Sequence, residues 1–318
     1  MLASKVDRLL QIVATRGVPI PKLSSQLLPV RNVVAFSGGV DSSLTAALVF
    51  QVFPTTSAAC IGRSAALSSV QLQQARKVAS HIGMPLWECH TDEAKLEAYV
   101  ANKGKSCYYC KTTLYSTLNQ VTEFAWKELQ QQLDVQGEKM KPVLYNGTNA
   151  DDLLDSTRVG LMAASEFKVV SPLSDLTKQE VRDIAKYLGL PNWNAAASPC
   201  LRSRLQFGVE ATQQHLHQVE KAEDFVRNLI HLEPQMSMRV RFLAGNKAAV
   251  ELDNEMLEKA VIHFDAIDAE LRRLVVFIET VVHSSTTGFD TVDVRAFRSG
   301  SLSGFSASAA HVRYVPVK

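Results

Sequence analysis

The spacing of hydrophobic residues predicts alternating strands and helices over residues 31–208. Short apolar runs indicate strands at 32–36, 55–62, 86–89, 143–145 and 168–173. Between these runs, apolar residues recur every three or four positions, as they do along the buried face of a helix. Strands that alternate with helices form a parallel sheet with helical crossovers, so this region is predicted to be α/β.

The pattern changes after residue 208. Residues 238–242 and 248–252 alternate strictly between apolar and polar side chains, which predicts strands that bury one face. The other predicted elements are helices at 212–230, 254–264 and 266–282 and a strand at 291–297. Together these elements predict a small α+β domain.

These patterns divide the chain into four predicted parts. They are an N-terminal helix and linker (1–30), a parallel-sheet domain (31–208), a small α+β domain for substrate or oligomer contacts (209–303) and a mobile tail (304–318). The linker contains three prolines, and the tail is rich in Ser, Gly and Ala.

Composition narrows the class of protein only slightly. The chain has 318 residues, of which 46% are hydrophobic and 21% charged, and its net charge is +2. A charge so close to zero does not indicate a broad nucleic-acid face, and no apolar run approaches the roughly 20 residues that cross a bilayer. Five cysteines in a chain of this length do not suggest a disulfide framework. We therefore expect a cytoplasmic protein without membrane or nucleic-acid partners, and leave an organellar presequence open.

One heptapeptide separates the strand at 32–36 from a helix predicted at 44–53. It consists of Ser37, Gly38, Gly39, Val40, Asp41, Ser42 and Ser43. Glycines let the backbone approach a ligand closely, and free amides at a helix start attract anions. The segment lacks the Gly-Lys-Ser/Thr of a Walker loop and instead resembles the PP-loop of the ATP pyrophosphatases. The resemblance implies that these residues bind the pyrophosphate half of ATP, with Asp41 positioning Mg²⁺ or the loop. A plain glycine turn is the alternative.

A second polar segment follows the strand at 143–145. Ligands of open α/β sheets bind beyond the carboxyl ends of the strands, where this segment is expected to lie. The residues that we expect to contact ATP there are Gly147, Thr148, Asn149 and Asp151.

Cys200 is the candidate nucleophile. It follows Pro199 in a predicted loop and precedes Arg202 and Arg204. Nearby cations favour the thiolate, which is the nucleophilic form of cysteine. Most free cysteines are instead small buried residues, and that is the alternative. Because an ATP-binding loop implies an activated carboxylate that needs a nucleophile, we favour the catalytic interpretation.

Six segments occur in an order that resembles the LarE family of ATP-dependent sulfur transferases. They lie at 37–43, 107–115, 147–152, 200–204, 239–241 and 298–301, and the resemblance extends over residues 5–303. Members have an N-terminal PP-loop domain and a smaller C-terminal domain, and they act in making a nickel-pincer nucleotide cofactor. The resemblance also suggests a homo-oligomer.

The family reaction implies a defined role for Cys200. ATP adenylates a carboxylate of a pyridinium dicarboxylate mononucleotide, and pyrophosphate leaves. The cysteine attacks the acyl-adenylate and forms a thioester. Its Cβ–S bond then breaks, which leaves the sulfur on the substrate and dehydroalanine in the protein.

Arginines are the expected ligands of the phosphate groups. Arg202 and Arg204 follow the nucleophile, whereas the others come from the small domain: Arg239, Arg241, Arg295 and Arg298. Guanidinium groups suit phosphate recognition, although exposed strand arginines are common. Glu251 resembles a family position near a divalent metal.

Cys107 and Cys110 raise the possibility of an iron–sulfur cluster. Residues three apart in a helix face the same way. A subgroup of the family resembles three-cysteine tRNA thiolases, in which two such cysteines and the loop cysteine hold a [4Fe–4S] cluster. Cys107, Cys110 and Cys200 occupy the three positions, and three thiolates would leave one iron open. The sequence leaves both the cluster and simple packing open.

Three other functions compete with sulfur transfer. An ammonia-dependent ligase related to GMP or NAD synthetase would use the PP-loop without Cys200. A tRNA thiolase would need a basic RNA-binding module, which the low net charge disfavours. A nucleotide-binding module would bind ATP without releasing pyrophosphate.

Overall fold

The computed structural model describes residues 2–19, 30–133, 141–155, 158–274 and 288–297. It forms two compact units, and each combines segments that are distant in sequence. The first unit comprises Met1–Ser64, Ser69–Glu93 and Cys107–Asn194, and the second comprises Ala65–Ser68, Ala94–Ser106 and Ala195–Lys318. The predicted domain boundaries are continuous along the chain and stay a prediction, and the predicted tail at 304–318 lies outside the described residues.

A four-stranded parallel sheet organises the first unit. Its strands are β1 (Asn32–Ala35), β2 (Ser57–Arg63), β3 (Leu86–His90) and β4 (Val143–Tyr145), in the order β3-β2-β1-β4. This arrangement confirms the α/β prediction. The strand predicted at 168–173 contributes an isolated bridge between Val170 and Tyr145 instead of a continuous ladder.

The first unit also contains helices. They are α1 (Leu2–Arg16), α2 (Val40–Val52), α3 (Ser69–Ile82), α5 (Ser106–Leu133), α6 (Ala150–Leu154), α7 (Gly160–Glu166) and α8 (Lys178–Tyr187), while the short α4 (Glu97–Val100) belongs to the second unit. Tyr115 and Leu118 of α5 pack on one face against Val33 and Leu144. Helix α2 packs against α1 and α8, and it is buried along much of its length because apolar residues surround it.

A smaller sheet organises the second unit. Strands β5 (Met238–Leu243), β6 (Lys247–Leu252) and β7 (Thr291–Ala296) lie in that order, with β5 antiparallel and β7 parallel to β6. Its helices are α9 (Gln213–Leu229), α10 (Asn254–Ile262) and α11 (Phe264–Arg273). The α+β prediction is confirmed, although the end of the helix predicted at 266–282 falls outside the described residues.

Within the described ranges, no helix has the length and apolar character needed to span a bilayer. The cytoplasmic location, the homo-oligomer and the lack of a nucleic-acid partner stay predictions.

Candidate functional site

The heptapeptide forms a tight turn from β1 into α2. Gly38 has φ +74°, and a Cβ there would lie 2.7 Å from the Cα of Ala75, so glycine is needed for both conformation and space. Helix α2 begins at Val40, inside the heptapeptide and earlier than predicted. Its N-cap residue, Gly39, has no side chain to accept from the first amides. The turn therefore leaves donors available to an anion, as a pyrophosphate site requires.

The serines of the turn have different environments. The Ser42 hydroxyl accepts from the Ser37 amide at 3.2 Å and donates to the Gly39 carbonyl at 3.0 Å. The Ser43 hydroxyl donates to the same carbonyl at 2.9 Å. Both side chains are buried, whereas Ser37 is exposed. Ser42 and Ser43 thus hold the turn, whereas Ser37 is exposed, with its hydroxyl 3.1 Å from that of Ser42.

The segment after β4 contacts the start of α2. A Cβ on Gly147 would lie 2.5 Å from the carbonyl carbon of Asp41, so the two backbones touch. The Asn149 amide donates to the Asp41 carboxylate at 3.1 Å and also caps α6. Thr148 is buried beside this contact segment. The two segments that were predicted to bind ATP therefore lie side by side at the carboxyl edge of the sheet.

Lys178 joins this site and was not among the predicted residues. Its ammonium group pairs with the Asp41 carboxylate, and its backbone amide donates to Asp151 at 2.9 Å. A capping box between Thr177 and Glu180 fixes Lys178 as the first residue of α8. The Thr-x-x-Glu pattern at 177–180, shortly after the strand predicted at 168–173, was the sequence signal that could have identified Lys178. Of the two roles predicted for Asp41, holding the loop has direct contacts, since both carboxylate oxygens already accept hydrogen bonds.

In the second unit, Arg204 clamps the backbone around Cys200. The half-buried Cys200 precedes a short 3₁₀ helix at Leu201–Arg204. The Arg204 guanidinium donates to the carbonyls of Pro199 and Cys200, the latter at 3.3 Å. The same group pairs with Glu223 of α9 at 2.8 Å, and both side chains are buried. Arg204 thus has a structural role beside the phosphate-binding role predicted for it.

Glu251 lies between two arginines in the small sheet. It is fully buried, and its oxygens accept from Arg241 at 2.7 Å and from Arg295 at 2.8 Å. Arg241 also donates to the Ser203 carbonyl at 2.9 Å, which ties the 3₁₀ helix to β5. A metal ion at Glu251 would have to displace these guanidinium donors. The contacts favour an ion-pair role over the divalent metal site suggested by sequence.

Arg239 differs from its neighbours. Its guanidinium lies 4.5 Å from the Phe297 ring and 3.4 Å from the Ala197 carbonyl, and within the described residues it forms no ion pair with a carboxylate. Burial, aided by repulsion from Arg204 and Arg241, lowers the pKa of Arg239 to about 10. The group is still protonated at neutral pH, and an incoming anion would offset that repulsion. Arg239 is therefore the best placed of the predicted phosphate ligands.

The remaining predicted ligands have less direct support. Arg202 donates to the Asn102 side chain at 2.6 Å, and Arg298 lies outside the described residues.

Cys107 and Cys110 lie at the start of α5 in the first unit, whereas Cys200 belongs to the second. Across the described ranges, no three His, Cys, Asp or Glu side chains form a group that could hold a metal ion. The [4Fe–4S] hypothesis gains no support here.

Comparison with known proteins identifies the family. No family model matches the chain. An uncharacterized protein of Synechocystis, slr1717, is 34% identical over 86% of this chain and 91% of its own length. The pyridinium-3,5-bisthiocarboxylic acid mononucleotide synthase of Lactiplantibacillus plantarum is 28% identical over 86% of this chain and 88% of its own length. The chain belongs to the LarE family. A glutamine-hydrolyzing GMP synthase chain of Sulfurisphaera tokodaii is 26% identical over 74% of this LarE-family chain and 66% of its own length, which agrees with the wider PP-loop superfamily.

The buried carboxylate of Glu251 should be essential for the stability of the second unit. Glu251→Gln would leave Arg241 and Arg295 without their counter-charge, so we expect a loss of about 3 kcal/mol or more in the free energy of unfolding. Urea denaturation of the full chain measures this loss. The matched control is Glu270→Gln, which breaks an exposed ion pair with Arg273 and should cost less than about 0.5 kcal/mol. Equal losses in the two variants would contradict the role assigned to Glu251.

Proposed function

We propose that this LarE-family protein is an ATP-dependent sulfur transferase that thiolates a carboxylate of a pyridinium mononucleotide. The name of the Lactiplantibacillus relative describes a product with two thiocarboxylic acid groups. Replacing a carboxylate oxygen by sulfur requires that the oxygen first become part of a leaving group. ATP, entering with Mg²⁺, would supply that activation.

The observation that supports this proposal is the set of hydrogen-bond donors at the start of α2. Its free amides, the exposed Ser37 and the ammonium group of Lys178 surround one edge of the sheet. In the adenylation step, a substrate carboxylate oxygen bonds to the α-phosphorus of ATP as the bond to pyrophosphate breaks. Donors fixed at the leaving pyrophosphate stabilise the charge that develops there.

Cys200 would supply the sulfur. Its thiolate attacks the acyl carbon, and AMP leaves with the electron pair of the broken C–O bond. Loss of the Cα proton of Cys200 then forms the Cα=Cβ bond as the Cβ–Sγ bond breaks. The sulfur stays on the substrate as a thiocarboxylate, and dehydroalanine remains in the chain, so each protein molecule acts once.

Arg239 would hold the phosphate of the mononucleotide. Its half-buried guanidinium has a lowered pKa because burial and the adjacent arginines both disfavour its charge. A phosphate dianion would relieve both effects and accept hydrogen bonds from the planar guanidinium. Arg241 and Arg295 would support it indirectly by keeping Glu251 neutralised.

Cys200→Ala should abolish thiolated product while ATP-dependent pyrophosphate release continues, because adenylation does not use the thiol. The assay combines the protein, Mg²⁺-ATP and the pyridinium dicarboxylate mononucleotide. In the wild-type protein, mass spectrometry should find that the Cys200 peptide has lost the elements of H₂S. The control is Cys107→Ser, which replaces an exposed cysteine of α5 and should keep full activity.

Two results would contradict the sacrificial mechanism. One is thiolated product accompanied by an unchanged Cys200 peptide, and the other is loss of product in Cys107→Ser. Either result would favour the three-cysteine cluster. Retention of an ammonia-dependent reaction in Cys200→Ala would instead favour the ligase.

Lys178→Met should weaken ATP binding. A charge-assisted hydrogen bond to phosphate would be lost, so we expect the KM for ATP in the pyrophosphate-release assay to rise about ten-fold or more. Lys186→Met is the control on the same helix, because its ammonium group lies over the Trp193 ring instead. If both variants changed KM equally, Lys178 would have no special role at the pyrophosphate.

A further inference from the structure

Asn192 contacts the PP-loop from the segment that follows α8. Its side chain is 2% exposed. Its amide nitrogen donates to the Gly38 carbonyl at 2.8 Å and to the Ser43 hydroxyl at 3.0 Å. Both hydrogens of one amide group are therefore used on the loop. Its side-chain oxygen has no hydrogen-bond partner within the described residues. The two hydrogen bonds that the side chain forms there are therefore both donated by its nitrogen.

The contact with Gly38 controls the direction of a neighbouring donor. In a trans peptide unit, the carbonyl and the following N–H point in opposite directions. Because Asn192 holds the Gly38 carbonyl toward the protein interior, the Gly39 N–H must point away from Asn192. Gly39 is exposed, and its N–H makes a long 3.4 Å contact with the Ser37 hydroxyl. This amide is thus available to a ligand.

The contact with Ser43 fixes a second part of the turn. The Ser43 hydroxyl accepts from Asn192 and donates to the Gly39 carbonyl at 2.9 Å. Asn192 therefore orients the peptide before Gly39 directly and the peptide after it through Ser43. Gly38, with its positive φ, has no side chain of its own that could restrict this peptide.

We propose that Asn192 is a positioning residue of the pyrophosphate site, which fixes the Gly38–Gly39 peptide in the orientation that binds the β- and γ-phosphates of ATP. This inference rests on the proposed function, because it assumes that the loop binds pyrophosphate. Asn192 acts through the loop and does not itself touch the ligand. Substitution of Asn192 should lower the affinity for ligands that contain pyrophosphate and leave the affinity for other ligands nearly unchanged.

Isothermal titration of the full chain with Mg²⁺-ATP, Mg²⁺-pyrophosphate and AMP tests the proposal. Asn192→Leu keeps a similar side-chain volume and removes both donors, and Asn192→Ala is a second variant that introduces no bulk. We expect the affinity for ATP and pyrophosphate to fall about ten-fold, as when a binding donor is no longer pre-oriented. The affinity for AMP should change less than about two-fold.

The matched control is Asn32→Ala. Asn32 is also buried, but it lies at the other end of β1. Its side-chain amide donates to the Val18 carbonyl at 3.0 Å and accepts from the Val18 N–H at 3.0 Å. This variant should lose stability and keep its affinity for pyrophosphate. Folding of each variant is checked by circular dichroism and thermal unfolding.

Three outcomes would overturn the inference. Wild-type affinity for pyrophosphate in both folded Asn192 variants would do so, and so would an equal loss of AMP and pyrophosphate binding. In both cases the proposed function would stand, provided that the wild-type chain binds pyrophosphate. A wild-type chain that binds neither ATP nor pyrophosphate would overturn the proposed function together with the inference.

Discussion

Close contact between backbones is the constraint on which the nucleotide site depends. A Cβ on Gly147 would lie within 2.6 Å of the Ser42 nitrogen, and one on Gly38 would meet the Ala75 backbone. The turn after β1 is therefore held between the end of β4 and helix α3 without intervening side chains. At this spacing the side-chain amide of Asn149 donates to the Asp41 carboxylate at 3.1 Å. A side chain at either glycine would displace the turn and, with it, the backbone amides at the start of α2 that are available to an anion.

Local patterns predicted the turn, because its features are contiguous. The strand at 32–36, the glycines and the following helix are neighbours in sequence, and the parallel sheet follows from the alternation of elements. Lys178 and Asn192 were missed for the opposite reason. Their partners Asp41 and Gly38 lie 137 and 154 positions earlier, and no spacing rule spans a crossover of that length. The early start of α2 was also missed, because Gly39 lacks the side chain of the usual N-cap residues.

The arginines illustrate a second limit of sequence analysis. Alternation placed Arg239 and Arg241 on one face of β5, and their register opposite β6 decides what each one contacts. Arg239 lies directly opposite Glu251, yet Glu251 binds Arg241 and Arg295. The described part of the second unit thus contains four close guanidiniums, the fourth being Arg204, and two buried carboxylates. The excess positive charge is the electrostatic condition for binding an anion there.

The clamp around Cys200 connects this charge to the proposed chemistry. A thiol that is eliminated from its own residue must have a fixed Cα, because proton loss and Cβ–Sγ cleavage require a defined alignment of those bonds. Arg204 holds the carbonyls on either side of that Cα and is itself held by Glu223. These contacts are made to the backbone, and Cys200 itself is half-buried. The same ion pair therefore fixes the backbone on both sides of the proposed nucleophile.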